Sequence, residues 1–182
     1  MPACVGRNIL EREGGSSNAN AIRDATLVKQ IVSGGQTGVD RAALDVALEL
    51  GIPCGGWVPL GRIDELGRIP DRYPNLRETR SAEFSERTAA NVRDSDGTLI
   101  VSRGPLTGGS LYTREVADRI GRPWLHLDIS TLSVDEATRI ARAWLGEHDV
   151  NVLNVAGPRE SKDRGLYDRA VHVLRRILRT TP

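Results

Sequence analysis

The chain has 182 residues, 39% of them hydrophobic and 27% charged, with a formal net charge of +1. That length suits one globular domain burying about two-thirds of its unfolded surface, and the near-neutral balance offers no overall field to gather nucleic acid or an anionic membrane. Two cysteines, Cys4 and Cys54, are too few for a disulfide framework or a cysteine-built zinc site, no apolar run approaches the ~20 residues that cross a bilayer, and a cytoplasmic location is the expectation.

Residues 1–26 read as a flexible tail. The run Gly14-Gly15-Ser16-Ser17-Asn18-Ala19-Asn20 is small and polar and buries too little to order itself. The segment lacks a secretory apolar core, and Glu11, Glu13 and Asp24 argue against an organelle transit peptide; a short helix fits only around residues 6–13. Residues 27–182 form the predicted domain. Residues 27–33 are a strand candidate ending at a first glycine turn, Ser33-Gly34-Gly35-Gln36-Thr37-Gly38-Val39-Asp40. Val39, Ala42, Ala43, Val46, Ala47 and Leu50 then recur at helical spacing, and Gly51 supplies a stop. Residues 52–58 predict a second strand, made irregular by Gly55 and Gly56. Residues 59–78 show no period and read as a long loop, a kind that in compact domains is usually functional or disordered; Arg72 and Tyr73 within it suit a lid.

Ser81 is placed to cap a helix over 82–93, with Phe84, Thr88, Ala89 and Val92 turned to the core. Residues 97–102 predict a buried strand, followed by a second glycine turn, Gly104-Pro105-Leu106-Thr107-Gly108-Gly109-Ser110. The next helix shows Thr113, Val116, Ala117 and Ile120 on one side and ends at Gly121. A strand over 123–129, a helix over 133–146 and a last strand over 151–156 lead to a third turn, Ala156-Gly157-Pro158-Arg159-Glu160-Ser161. The final helix buries Leu166, Ala170, Val173, Leu174 and Ile177. Its basic end, Arg175, Arg176 and Arg179, reads as a solvated face suited to the negative end of the helix dipole.

Strand–helix alternation implies an α/β fold, a Rossmann-like three-layer sandwich with a mainly parallel sheet and helices on both faces. Ligands in such sheets sit beyond the carboxyl ends of the strands, where all three glycine turns lie. Glycine permits close backbone approach and a helix start offers free N–H groups, so the turns point to a phosphate-bearing molecule. In the first, Gly34, Gly35 and Gly38 allow approach, Gln36 and Thr37 add hydrogen-bonding side chains, and Asp40 follows; the alternative is a tight turn capped by Thr37. It is neither a Walker loop nor the dinucleotide fingerprint. In the second, Gly108 and Gly109 suit approach, while Thr107 or Ser110 either caps the helix or donates to a phosphate oxygen; Thr113, one turn on, is grouped with them. In the third, beside Gly157, Arg159 reaches an anion or pairs with Glu160 or Asp163, and Ser161 lines the site or caps the last helix. Asn91 either ends its helix or points into the same crevice, and Trp57 either stacks on a planar ring or packs in the core. His126, His148 and His172 have no paired metal-ligand spacing. No nucleophile–His–acid set can be assembled, so the residues lean towards binding, with no metal site and no general base expected.

Together these segments resemble the molybdenum cofactor carrier proteins of the circularly permuted YpsA-like branch of the SLOG superfamily, over roughly residues 30–180. The resemblance rests on Val32-Ser33-Gly34-Gly35-Gln36-Thr37-Gly38-Val39-Asp40-Arg41-Ala42-Ala43-Leu44-Asp45, joined in order by Gly61-Arg62, Ile69-Pro70-Asp71-Arg72-Tyr73-Pro74, Arg87-Thr88, the run 91–99, Leu106-Thr107-Gly108-Gly109-Ser110 and the run 154–161. It implies a Rossmann-like sheet whose permutation brings a Gly-Pro-Arg turn last. It also implies storage or transfer of the molybdenum cofactor, a pterin carrying a phosphate and a dithiolene-bound metal. On this resemblance residues 34–38 and 108–110 hold the phosphate or pterin end, and Arg159 and Ser161 line the same cleft. A homo-oligomer such as a tetramer, and molybdoenzymes or cofactor-synthesis proteins as partners, are implied; membrane and nucleic acid are not. Ser110 stands where Thr is expected and keeps the hydroxyl, and Asp163-Arg164-Gly165 replaces a Pro-Gly pair, leaving the start of the last helix open. Hydrolase relatives of the superfamily cleave nucleoside monophosphates with Gly-Gly-x-Gly-Thr-x-x-Glu. Counted from Gly108, Glu115 holds the acidic position, but Leu111 and Tyr112 replace the expected Gly and Thr. A sensor of a nucleotide-derived ligand is the third reading.

Overall fold

Short apolar runs too brief for helices pair side by side in register. In a computed structural model, which describes residues 27–179, the strands β1 (Gln30–Val32), β2 (Cys54–Val58), β5 (Leu76–Glu78), β6 (Gly97–Ser102), β7 (Trp124–Asp128) and β8 (Val152–Ala156) form one parallel sheet in the order β5-β2-β1-β8-β6-β7. A small antiparallel hairpin, β3 (Ile63–Asp64) with β4 (Gly67–Arg68), stands apart. The helices are α1 (Val39–Glu49), α2 (Phe84–Arg93), α3 (Gly108–Ile120), α4 (Val134–Glu147) and α5 (Leu166–Leu178). The predicted tail and its helix around 6–13 lie outside the described residues.

α5 packs against both α1 and α4, and α2 packs against α3, giving helices on both faces of the sheet. The reason is legible in the stripes. Leu166, Ala170, Val173, Leu174, Ile177 and Leu178 of α5 are buried, and the alanines of α1, Ala42, Ala43 and Ala47, are fully buried opposite. Covered on both faces, the central strands carry continuous apolar runs such as Leu99-Ile100-Val101, each residue 0% exposed. Among the described residues no helix is long and apolar enough to cross a membrane.

Several local expectations change. Residues 59–78 are not an unbroken loop: they contain the β3–β4 hairpin and the edge strand β5, whose two- and three-residue lengths are too short to show alternation. Tyr73 is buried, its hydroxyl donating to Asp45 at 2.9 Å, so it fastens this segment to α1 and is no lid. Ser81 caps nothing. It binds the Glu86 carboxylate (Oγ–Oε2 2.6 Å), and α2 starts at Phe84 without a side-chain cap. Phe84 and Ile120, placed inward by periodicity, are 41% and 44% exposed at the ends of their helices. α5 starts after Gly165, where the carboxylate of Glu160 accepts from the N–H groups of Gly165 (2.5 Å) and Tyr167 (3.2 Å). Glu160, not Ser161, therefore serves that helix start.

The order of the sheet decides the position of the site. The three glycine turns follow β1, β6 and β8, and these strands are neighbours at the centre of the sheet, with β8 between the other two.

Candidate functional site

The first and third turns cross. Gly38 has φ 74° and ψ −130°, and a Cβ there would stand 2.9 Å from the backbone N of Glu160 and closer still to the carbonyl of Pro158. Val39 N–H donates to that carbonyl at 3.3 Å. Gly157 lies against Val101 and the Val39 side chain, and Gly35 against Ile69 and Val58. These glycines let protein backbone approach protein. Gly108 and Gly109 differ: a Cβ at either would meet nothing within 4 Å, so the start of α3 fronts open space.

Beneath the crossing lies a buried ion pair. The Asp40 carboxylate, on a residue 2% exposed, accepts from Arg87 Nη1 at 2.9 Å and from the N–H groups of Gln36 and Gly157. Burial pushes its pKa above the ordinary carboxylate value, opposed by the Arg87 charge and by those donors. The Arg87 guanidinium occupies the space beside Gly34, where a Cβ would be 2.8 Å from Nε and nearer Cζ and Nη1. Gly34 is thus glycine to admit the arginine, whose Nε is buried without a hydrogen-bond partner.

A cleft of about 780 Å³ opens over the carboxyl ends of β1, β8 and β6. Of the residues singled out in the sequence, Gln36, Thr107, Gly108, Gly109, Ser110, Gly157 and Arg159 line it, and Asp40 and Thr113 line an adjoining recess of about 250 Å³. Thr113 donates to the Gly109 carbonyl (2.9 Å), and Thr107 precedes α3 without capping it. Gly34 and Gly35 lie under the walls. Asn91 is not brought to the cleft: its amide brackets Trp57, accepting from the backbone N–H (2.8 Å) and donating to the carbonyl (2.9 Å). Trp57 is half-buried away from the cleft, its ring covered by Arg77 and its Nε1 donating to Asp94. Glu115 is exposed on α3 and lines neither space.

The sequence does not assign Arg87, Ser102, Arg103, Lys162 or Phe84 to the cleft, although Arg87-Thr88 stands among the family-like motifs and Phe84 is expected in the core. Arg87 carries a signal, because it lies one residue before buried Thr88 and four before buried Asn91, so a charge sits beside the inward face of α2. Arg103 donates to Asp163 (Nε 3.0 Å) and to the Arg164 carbonyl (2.7 Å), tying the second turn to the third. No spacing in the sequence announces that pair.

Thr37 and Ser161 meet at Glu65, on the hairpin. The Glu65 carboxylate accepts from both hydroxyls, from Ser161 N–H at 3.1 Å, and pairs with Arg159 Nε at 3.3 Å. Thr37 Oγ1 also accepts from Glu160 N–H at 3.1 Å, so neither Thr37 nor Ser161 caps a helix by its side chain. Arg159 pairs with Glu65, where the sequence suggested Glu160 or Asp163. On the far side of this bridge lies a second cavity of about 610 Å³, lined by Thr37, Gly38, Glu65 and Ser161 among others.

The floor of the second turn is held by Ser102, whose hydroxyl donates to the Gly104 carbonyl (2.9 Å) and lies 2.7 Å from His126 Nε2, while Asp128 accepts from Gly104 N–H (2.9 Å). Burial lowers the His126 pKa, partly offset by Asp128. The unfolded imidazole takes a proton near pH ~6.5 that the folded one resists, so the unfolded chain binds more protons and stability falls as pH drops through that value. Urea midpoints at several pH values between neutrality and mild acidity should therefore decline more steeply for wild type than for His126→Asn. Parallel slopes would remove His126 as the cause.

Three comparisons bear on this geometry. Residues 31–178 match the circularly permutated YpsA SLOG family. Among solved structures, a protein of Syntrophus aciditrophicus SB provisionally named a molybdenum carrier protein is 46% identical, with a TM-score of 0.82 over 84% of this chain and 96% of that one. Comparison with curated proteins gives no significant match.

Proposed function

The chain belongs to the circularly permutated YpsA SLOG family, and on that premise we propose that it is a carrier whose cargo is a phosphate-bearing heterocycle, the molybdenum cofactor. The observation that carries this reading is a cleft with cationic walls and an open helix start. Arg87, Arg103, Arg159 and Lys162 line one cleft of about 780 Å³ together with Gly108 and Gly109 of α3, the three arginines being held by Asp40, Asp163 and Glu65. Free N–H groups at a helix start and planar guanidinium forks are the standard means of holding phosphate. The volume falls within the roughly 300–1,000 Å³ of small-molecule sites. Phe84, Pro105, Leu106 and Pro158 supply apolar surface suited to a ring system. The name of the 46% identical neighbour supports molybdenum as part of the cargo. Among the described residues no group of three or more His, Cys, Asp or Glu gathers to hold a metal, so the donor set fits a metal carried within its organic ligand. The hydrolase reading lacks its acid, since Glu115 faces solvent outside the cleft.

Small molecules released from native protein, made in a cofactor-producing host, should include a pterin, with molybdenum in the same sample. Gly109→Asp is the matched control. It puts a carboxylate in the cleft where a Cβ meets nothing, at a helix start that favours negative charge, so the fold should be kept while bound cargo falls at least ~10-fold. Absence of both pterin and molybdenum, with no uptake of supplied cofactor, rejects the carrier role.

A further inference from the structure

The Glu65 carboxylate sits where a ligand anion would be expected. Its donors come from both crossing turns, Thr37 from the first and Ser161 and Arg159 from the third, and they converge on one acceptor beside the start of α1. An arginine, two hydroxyls and a backbone N–H make a phosphate-binding set. Glu65 itself belongs to neither turn. It reaches in from the β3–β4 hairpin, near a tip where Leu66 is 82% exposed. The hairpin has its own anchors, Asp64 to Arg41 at 2.6 Å and fully buried Ile69, so the Glu65 side chain can leave without the hairpin coming away. The carboxylate also stands between the two cavities: Arg159 lines the first, and Thr37, Glu65 and Ser161 line the second.

We propose that Thr37, Ser161 and Arg159 form a second anion subsite, filled in the free protein by the Glu65 carboxylate, which an anionic group of the bound ligand displaces. This rests on the cleft being a cargo site and adds to it the class of cargo: an organic molecule with two anionic groups, one for the start of α3 and one for the Glu65 cradle. A tethered carboxylate competes at high effective concentration, so a single free anion displaces it poorly. A ligand already held at Gly108 and Gly109 competes on equal terms, because its second group is tethered too. Glu65 thereby favours doubly anionic ligands over the simple phosphate of the surroundings. A purely structural clamp makes the opposite forecast, since removing it would loosen the turns and weaken binding.

Titration of the full chain with inorganic pyrophosphate, followed by calorimetry, separates the two. Glu65→Gln should bind pyrophosphate at least ~10-fold more tightly than wild type, and adding Ser161→Ala should return affinity to the wild-type value. Equal or weaker binding by Glu65→Gln overturns the subsite. So does a gain that survives Ser161→Ala, which is the mark of a long-range field. If Glu65→Gln does not fold, a crystal structure of wild type with pyrophosphate decides: a phosphoryl group on Thr37 and Ser161 with Glu65 swung out supports the subsite, and Glu65 in place overturns it. Pterin and molybdenum in native protein without the Glu65→Gln gain would reject the subsite and leave the carrier reading intact. The gain without pterin, molybdenum or uptake of supplied cofactor would keep the anion subsite and reject the carrier role.

Discussion

Gly38→Ala is expected to cost about 3–5 kcal/mol of stability and on the order of 10 °C in melting temperature, with cargo binding lost alongside. Two separate penalties meet at this position. The backbone pair φ 74°, ψ −130° lies outside the regions an L side chain adopts. The added methyl would also strike the carbonyl of Pro158 and stand 2.9 Å from Glu160 N, backbone atoms that no rotamer change can move aside. Relief requires the third turn to lift off the first, which breaks Val39 N–H to Pro158 O and Glu160 N–H to Thr37 Oγ1. Gly109→Ala is the internal control, since it makes the same chemical change where nothing lies within 4 Å, in the first turn of a helix. It should leave stability unchanged or slightly raised. Thermal unfolding followed by circular dichroism reads both, and a Gly38→Ala melt within about 2 °C of wild type would refute a tight crossing.

Arg87→Ala should be about as damaging, costing about 3–5 kcal/mol, because it leaves the Asp40 carboxylate buried without its charged partner. The pH dependence identifies the cause. Burial already holds the Asp40 pKa above its unfolded value, and without Arg87 that push loses its main opposition. A group with a raised folded pKa contributes stability at low pH and loses it as pH rises through that pKa. The deficit of Arg87→Ala relative to wild type should therefore shrink on acidification. Adding Asp40→Asn, which removes the stranded charge, should recover part of the loss at neutral pH. A deficit flat with pH and untouched by Asp40→Asn would mean that the arginine acts by packing alone. Urea midpoints supply the stability measure, and cargo content should fall in both variants, since Arg87 lines the cleft.

The layered α/β architecture could be read from spacing, because helical stripes and short apolar runs are written locally in the chain. Strand order could not. β8 pairs with β1 although the register partners Gln30 and Val152 are 122 positions apart, and no periodicity records such a partner. The packing roles of the glycines were hidden for the same reason. Gly38 and Gly157 read as room for a ligand, and the fold adds a use that spacing does not record: Gly38 admits the backbone of the third turn, and Gly157 admits the Val101 carbonyl and the Val39 side chain while also lining the cleft. Gly108 and Gly109 front open space, and that much is legible because it depends on the local start of α3. Arg87 and Glu65 were hidden differently. Charged side chains read by default as solvated surface, and only the folded chain shows one laid beside Gly34 and the other held between two turns.

The central place of β8 also governs when the site can come into being. During synthesis β1 and β6 emerge early, yet each must wait with an unpaired edge until residues 152–156 leave the ribosome and slot between them. Closing so long a loop is slow, and the half-sheets exposed meanwhile are natural clients for chaperones. On the proposed carrier reading, loading is confined to finished molecules: a nascent or prematurely ended chain lacking β8 also lacks Gly157 and Arg159, and with them one wall of the cleft.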